Sequence, residues 1–268
     1  MLYIVGTPIG NLGDLSKRVI EILTNADIIF AEDTRTAMQL LNSQNIKNSI
    51  KSCHKDNETN AVKEIIDLLL QDKKIALISE AGMPCISDPG HIVVKSAIEN
   101  NIPIEIAQGP TALIHGLIAS GFSGSSFYFH GFLPHNKTDK ENALKHIKNT
   151  ISAPVIFYEA PHRLKETILL ILKYFEPPVS VTKEATKKFE QTFFINSIDD
   201  LEHINIKGEF IIVINNTVEK KDNNVDFVNT VNELLKENFS NKDILKILKI
   251  LGMKRNQAYD LINTLSSK

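Results

Sequence analysis

Short apolar runs alternate with amphipathic helical patterns from residue 2 to residue 121. "LYIVG", "DIIFAED", "IALIS" and "IPIEIA" read as strands. Between and after them, "LSKRVIEILTNA" places Val19, Ile20 and Leu23 on one helical face, and "NETNAVKEIIDLLLQDK" does the same with Val62, Ile65, Ile66 and Leu69. "TAMQLLNSQNI", "IVVKSAIENN" and "TALIHGLIASG" read as further helices, the last stopping at Gly121. Strands separated by helices imply a mostly parallel sheet covered on both faces.

The pattern restarts after "GFSGSS", so a domain boundary is expected near residues 120–126, in a run of Gly and Ser. "FYFHGFLP", "PVIFYEA" and "PVSVTKEA" read as strands, with "DKENALKHIKN" and "RLKETILLILKYF" as helices between them. "EQTFFINS" and "GEFIIVINN" are expected to form a closing antiparallel pair. The polar stretch "NTVEKKDNNVD" reads as a linker. Beyond it, "FVNTVNELLKENF" is amphipathic, "SNKDILKILKILG" opens with a capping box from Ser240 to Asp243 and closes at Gly252, and "KRNQAYDLINTL" is a third helix. The last two form a helix-turn-helix-like hairpin or a packing appendage. The expected division is 1–122, 123–217 and 218–268.

At 268 residues the chain has room for about two ordinary domains. A hydrophobic fraction of 43% supports a packed core. With 30 basic and 32 acidic residues, a net charge of -2 gives no global attraction to nucleic acid, so any such contact needs a local basic patch. Cys53 and Cys85 are the only cysteines, and they form no CxxC or Cys/His cluster. Neither a metal site nor a disulfide framework is indicated, and Cys85 reads as a small buried thiol. "MLYIVGTPIG" lacks the basic start and long apolar run of a signal peptide. No stretch reaches about 18 consecutive apolar residues, so no membrane span is expected and a soluble cytoplasmic protein is.

Four loops concentrate the candidate chemistry: "GTPIGNLGD", "AEDTR", "SEAGMPCISDPG" and "QGPTA". Loops at the carboxyl ends of parallel strands converge on one crevice, where ligands bind in α/β sheets. The first loop has neither the dinucleotide fingerprint, because Pro8 and Ile9 spoil its spacing, nor a phosphate-loop lysine. Each loop alone is ordinary turn chemistry; together they suggest a site. "YEAPHR" adds Glu159, His162 and Arg163 at a later strand end, and "TKEATKKFEQT" adds Lys183, Glu184, Lys187 and Lys188, where the basic residues either face an anionic polymer or are simply solvated. No nucleophile elbow and no HExxH spacing is present.

Taken in order, "LYIVGTPIGNLGDLS", "AEDTR", "SEAGMPCISDPG", "GPTALIHGLIASG", "GFLP", "FYEAPHR", "TKEATKKFEQ" and "KGEFIIVI" resemble the ribosomal small subunit methyltransferase I family, within the tetrapyrrole methylase superfamily. The resemblance spans about residues 1–215, and the helical tail is similar to an extra C-terminal domain of many members. It implies an α/β protein with two α/β domains, a cofactor cleft between them and a small helical appendage. It also implies a homodimer that transfers a methyl group from S-adenosylmethionine to the ribose 2'-hydroxyl of a cytidine in 16S ribosomal RNA, free or in the small ribosomal subunit.

The same resemblance implies cofactor contacts at Pro8, Glu80, Gly82, Met83, Pro84, Thr111, Ala112, Tyr158 and Gly208. The family usually writes the long loop S-D-A-G-T-P; here Glu80 stands for Asp and Met83 for Thr. A weak ribose nucleophile benefits from a base or an orienting group. Candidates are Asp33, Glu159, His162, Lys183 and Glu184, among which spacing does not choose; Asp33 and His162 are assigned as catalytic. Arg35, Arg163, Lys187, Lys188, Lys254 and Arg255 are the candidate RNA-phosphate contacts. A tetrapyrrole-type or diphthine-type methylase, and a non-catalytic RNA-binding assembly factor, remain as rival readings.

Overall fold

The computed structural model describes residues 1–122, 124–217, 227–251 and 253–266. Residues 1–217 form one compact unit and residues 218–268 a second.

The first unit opens with a five-stranded sheet. Its strands are β1 (Leu2–Val5), β2 (Ile28–Ala31), β3 (Ile50–Ser52), β4 (Ile75–Ile78) and β5 (Ile104–Ala107), in the order β3-β2-β4-β1-β5. Every pairing is parallel. Helices α1 (Lys17–Asn25), α2 (Thr34–Ser43), α3 (Glu58–Leu70) and α4 (His91–Glu99) supply the crossovers. The two-residue strand period sends alternate side chains to opposite faces. Leu2, Ile4, Phe30, Ile75 and Leu77 pack with Ile65 and Leu69 of α3 and Val93 of α4. Val5, Ile29, Ala31, Ala76 and Ile78 pack with Val19 and Leu23 of α1 and Leu41 of α2. Edge strand β3 has three half-buried residues, "IKS", and leaves no apolar run to find in the sequence.

The second sheet contains β6 (Tyr128–Phe132), β7 (Pro154–Glu159), β8 (Val179–Lys183), β9 (Gln191–Ile195) and β10 (Phe210–Asn215), in the order β6-β7-β10-β8-β9. Helices α6 (Lys137–Thr150) and α7 (Leu164–Tyr174) belong to its main core, whose strand side chains include Val155, Phe157, Val181, Phe210 and Ile212. The expected closing pair does not form. Strand β10 inserts antiparallel between β7 and β8, and β9 pairs with β8 at the outer edge. The burial of each strand explains this: five of the six β10 residues are buried, which suits a central position, whereas β9 is largely exposed or half-buried.

Helix α5 (Ala112–Ser120) follows β5 of the first sheet but packs on the second, with Leu113 and Leu117 against Ile156, Ile211 and Val213. A side chain at Gly116 would put its Cβ 2.4 Å from Ile211 Cγ2, so this close approach needs glycine. Gly121, at φ 68°, ends the helix in the left-handed conformation.

The second unit holds α8 (Phe227–Lys236), α9 (Asn241–Ile250) and α10 (Arg255–Ser266) around Val231, Ile244, Leu248, Ala258 and Ile262. Ser240 caps α9, accepting from the Asp243 backbone N–H at 3.2 Å and donating to its carboxylate at 2.6 Å. Most of the sequence-predicted linker (218–226) and Gly252 lie outside the described residues. Among the described residues no helix is long and apolar enough to cross a membrane.

Candidate functional site

Three loops at the carboxyl ends of β1, β4 and β5 lock together. Thr7 and Gly82 pair as an isolated antiparallel bridge, with N–H to O distances of 2.8 and 3.1 Å. Gly6 and Gly109 let two backbones cross: a Cβ on Gly6 would lie 2.4 Å from Gly109 N. Met83 closes the junction, its Sδ accepting from the Gly109 N–H at 3.3 Å. The Met83 thioether therefore makes a backbone contact within the protein.

The long loop, residues 79–90, is held in an unusual shape. Cys85 and Ser87 are non-glycine residues at φ 70° and 68°. Such conformations persist only where surroundings over-determine them. Here the Gly90 N–H donates to the buried carboxylate of Glu58 at 2.9 Å, and Cys85 N–H donates to Pro89 O at 3.3 Å.

These loops form one side of a cavity of about 480 Å³. Glu32, Glu80, Gly82, Met83, Asp88 and Thr111 line it from the first sheet. Phe132, Tyr158, Glu159, Ala160, Pro161 and residues 209–211 line it from the second. Tyr158 joins the two sides: its Oη accepts from Leu113 N–H at 3.1 Å, at the start of α5. Burial pushes the Tyr158 phenol up to about 12, so it stays neutral.

The cavity is acidic. Its titratable wall groups besides Tyr158 are the carboxyls of Glu32, Glu80, Asp88, Glu159 and Glu209; no Lys, Arg or His is among the described lining residues. Burial, reinforced by the charges of Glu32 and Glu80, pushes Asp88 up to about 6. Burial also raises Glu32 above the usual carboxylate range, outweighing a hydrogen bond from the Glu80 backbone that lowers it. A negatively charged cavity of this size suits a drug-sized cation.

Residues 1–202 match the family described as Tetrapyrrole (Corrin/Porphyrin) Methylases. The chain belongs to this family. It is 44% identical to "Ribosomal RNA small subunit methyltransferase I" of Halalkalibacterium halodurans, over 82% of this chain and 77% of that protein. The protein of the same name from Buchnera aphidicola is 35% identical over 97% of this chain and 94% of its own length, so that similarity includes the tail. The crystal structure of diphthine synthase shares the fold, with a TM-score of 0.64 at 13% identity, over 80% of this chain and 88% of that one. This tetrapyrrole methylase is a methyltransferase that uses S-adenosylmethionine.

The sequence-predicted cofactor residues divide in two. Glu80, Gly82, Met83, Thr111, Ala112 and Tyr158 come together on the cavity wall. Pro8, Pro84 and Gly208 stand one position from lining residues Ile9, Met83 and Glu209 and do not line it themselves. Gly208, at φ 95°, packs against the Glu184 carboxylate.

The two assigned catalytic residues lie apart from the cavity lining. Asp33 caps α2, accepting from the N–H groups of Arg35 at 2.7 Å and Thr36 at 3.3 Å. Its side-chain bond with Arg35 and these backbone donors hold its carboxyl at about 2. His162 is exposed beside lining residue Pro161. Sequence reasoning passed over Glu32, Asp88 and Glu209. Each sits inside or next to a stretch already singled out, and only the direction of its side chain distinguishes it.

Among the expected phosphate contacts, Arg163 is turned inward. It is buried, faces Glu159 at 3.2 Å, and donates to Leu133 O at 2.7 Å and Pro134 O at 2.9 Å, which leaves little of its guanidinium for RNA. Lys187 bonds Glu184 at 3.1 Å and Glu209 at 2.8 Å. Burial disfavours its charge, but these carboxylates outweigh burial and raise it. Lys183 is buried, and Glu184 accepts from Glu209 N–H at 3.1 Å. Arg35, with its side chain 87% exposed, pairs with Asp33 at 2.9 Å. Lys188 is exposed, its ammonium 5.6 Å from the Phe189 ring centroid. Lys254 and Arg255 are exposed on the second unit.

Proposed function

We propose that this tetrapyrrole methylase methylates the ribose 2'-hydroxyl of a cytidine in 16S ribosomal RNA. The observation that carries the reading is the cavity wall: the carboxyls of Glu32, Glu80 and Asp88, with no Lys, Arg or His among the described lining residues, held by glycine-tight loops, in a chain similar over most of its length to ribosomal RNA small subunit methyltransferases.

The donor set fits the cofactor. S-adenosylmethionine supplies an electrophilic methyl group on a positively charged sulfur, together with an ammonium and an adenosyl group. Glu32 and Glu80 supply negative charge toward its cations. Ile9, Phe132, Tyr158 and Ile211 supply apolar walls that exclude water and narrow the approach of the acceptor. Asp88 is the group suited to take the hydroxyl proton as the new oxygen–carbon bond forms, because at about 6 it is ionised at neutral pH yet still basic. Asp33 at about 2 is a far weaker base, and its oxygens already serve as a cap.

RNA contact falls to the exposed cations: Arg35 and Lys188 on the first unit, Lys254 and Arg255 on the second. Residues 227–268 carry seven basic and four acidic side chains in a chain whose net charge is -2, so positive charge is concentrated in the tail. The reading includes a homodimer working in the cytoplasm. An apolar face on α5, where Ile114 is 40% and Ile118 75% exposed, supports an oligomer.

The test is mass-spectrometric mapping of ribose methylation in 16S RNA and in small subunits incubated with protein and cofactor. One new 2'-O-methylcytidine is expected. Cofactor binding without RNA methylation would move the assignment to another acceptor.

A further inference from the structure

One buried charge has no part in that reaction. Lys140 is fully buried in α6, where it continues the core stripe of Leu144 and Ile147 at helical spacing. A leucine or methionine would be the ordinary choice there, and because the one carboxylate it pairs with, Glu166, is half exposed, an apolar side chain would leave no buried charge unpaired. The ammonium therefore calls for another reason.

Its bonds lead to the cavity. Lys140 Nζ donates to Thr167 Oγ1 at 3.3 Å and lies 3.3 Å from a carboxylate oxygen of half-exposed Glu166. Thr167 is also fully buried, and its hydroxyl donates to Glu159 Oε2 at 2.5 Å. A threonine hydroxyl has one proton, so a donor on its lone pair directs that proton to Glu159 and polarises the bond. Glu159 Oε1 accepts from Ala160 N–H at 2.9 Å and faces Arg163 Nε at 3.2 Å. Arg163 then holds the backbone carbonyls of Leu133 and Pro134, just after lining residue Phe132. One network thus ties down two segments of the second-sheet wall, Phe132 and residues 158–161.

We propose that Lys140 is a positioning residue. Through the Thr167 hydroxyl it fixes the Glu159 carboxylate, and Glu159 fixes the wall of the methyl-transfer cavity. The inference rests on the methyltransferase reading, so the experiment reads cofactor affinity as well as turnover. Full-length wild type, Lys140→Met, Thr167→Val, Thr167→Ser and the Lys140→Met/Thr167→Val double variant are compared.

Small misplacements of a reaction cavity cost about ten- to a hundredfold, so Lys140→Met and Thr167→Val should each lose about tenfold in kcat and in S-adenosylmethionine affinity. The double variant should lose no more than either single one, because both break one chain. Thr167→Ser, which keeps the hydroxyl, should retain wild-type values, and Lys140→Met should melt no lower than wild type. Wild-type kcat and affinity in Lys140→Met overturn the inference, as does a loss that follows a fall in melting temperature and is shared by Thr167→Ser. A wild type that binds cofactor but methylates no RNA overturns the RNA reading instead, and the affinities still decide the role of Lys140.

Discussion

Glu32 and Asp88 bring two carboxyls to one cavity from the ends of different strands, and the charge of Glu32 adds to burial in pushing Asp88 up to about 6. The neutral form of Asp88 is therefore favoured in the folded protein below about pH 6. If Asp88 takes the ribose proton, kcat/KM should fall about tenfold per pH unit below that point and level off above it. Asp88→Asn should lower kcat about 10²- to 10⁴-fold and abolish the acidic limb. Stability moves the opposite way: a raised carboxyl contributes stability at low pH that is lost as pH rises through about 6. Melting curves of Asp88→Asn should therefore depend less on pH between 4 and 6 than those of wild type, to about one pH unit. A wild-type rate profile in Asp88→Asn removes it as the base.

Adjacent acids at the end of β2 should behave differently. Asp33→Ala removes the α2 cap and should cost about 1 kcal/mol of stability, with turnover per folded molecule largely kept. Glu32→Gln leaves the cap in place and removes charge from the cavity, so it should weaken cofactor binding with little change in melting. Calorimetry and denaturant titration on both variants check this. Loss of turnover in a well-folded Asp33→Ala protein would restore the catalytic role expected from the sequence.

That contrast shows where sequence reasoning reaches its limit. Apart from edge strand β3, the first sheet was legible because each of its strands is a short apolar run followed by an amphipathic helix, as in β4 and α4. The position of β10 was not, because pairing between strands distant in sequence leaves no local mark; only its continuous burial betrays a central strand. The cavity loops were legible as stretches. Which of Glu32 and Asp33 turns inward was not, because both follow β2 and differ only in the direction of the backbone that carries them. Lys140 shows the same limit: its helix was legible in "DKENALKHIKN", but its burial was not, and its partner Thr167 comes from another helix.

The cations should separate by salt dependence. Arg163→Ala leaves buried Glu159 without its guanidinium partner and should cost about 3–5 kcal/mol of stability, with no specific effect on RNA. Lys188→Glu and the pair Lys254→Glu/Arg255→Glu should fold normally. For every cation that neutralises a phosphate, its removal should lower the slope of log affinity against log salt by about 0.7 to 0.9. Binding titrations with 16S RNA at several salt concentrations check this, and unchanged slopes would mark these residues as merely solvated.

The glycine crossing tests whether the loop junction sets the cavity. A Cβ on Gly6 would lie 2.4 Å from Gly109 N and 2.6 Å from Met83 Sδ. The first neighbour is backbone and cannot swing away, so the β1 and β5 loops must part. Overpacking of this kind costs about 1–3 kcal/mol of stability. Separation of these loops also disturbs the Thr7–Gly82 bridge and the Met83 contact with Gly109, which hold the long loop against its neighbours. Gly6→Ala should therefore lose cofactor affinity out of proportion to its stability, whereas Gly124→Ala, whose Cβ would meet only Leu117 Cδ2 at 3.7 Å, should retain both. Comparison of calorimetric affinity with melting temperature in the two variants decides it: equal cofactor affinity in both would mean that the junction supports the fold alone.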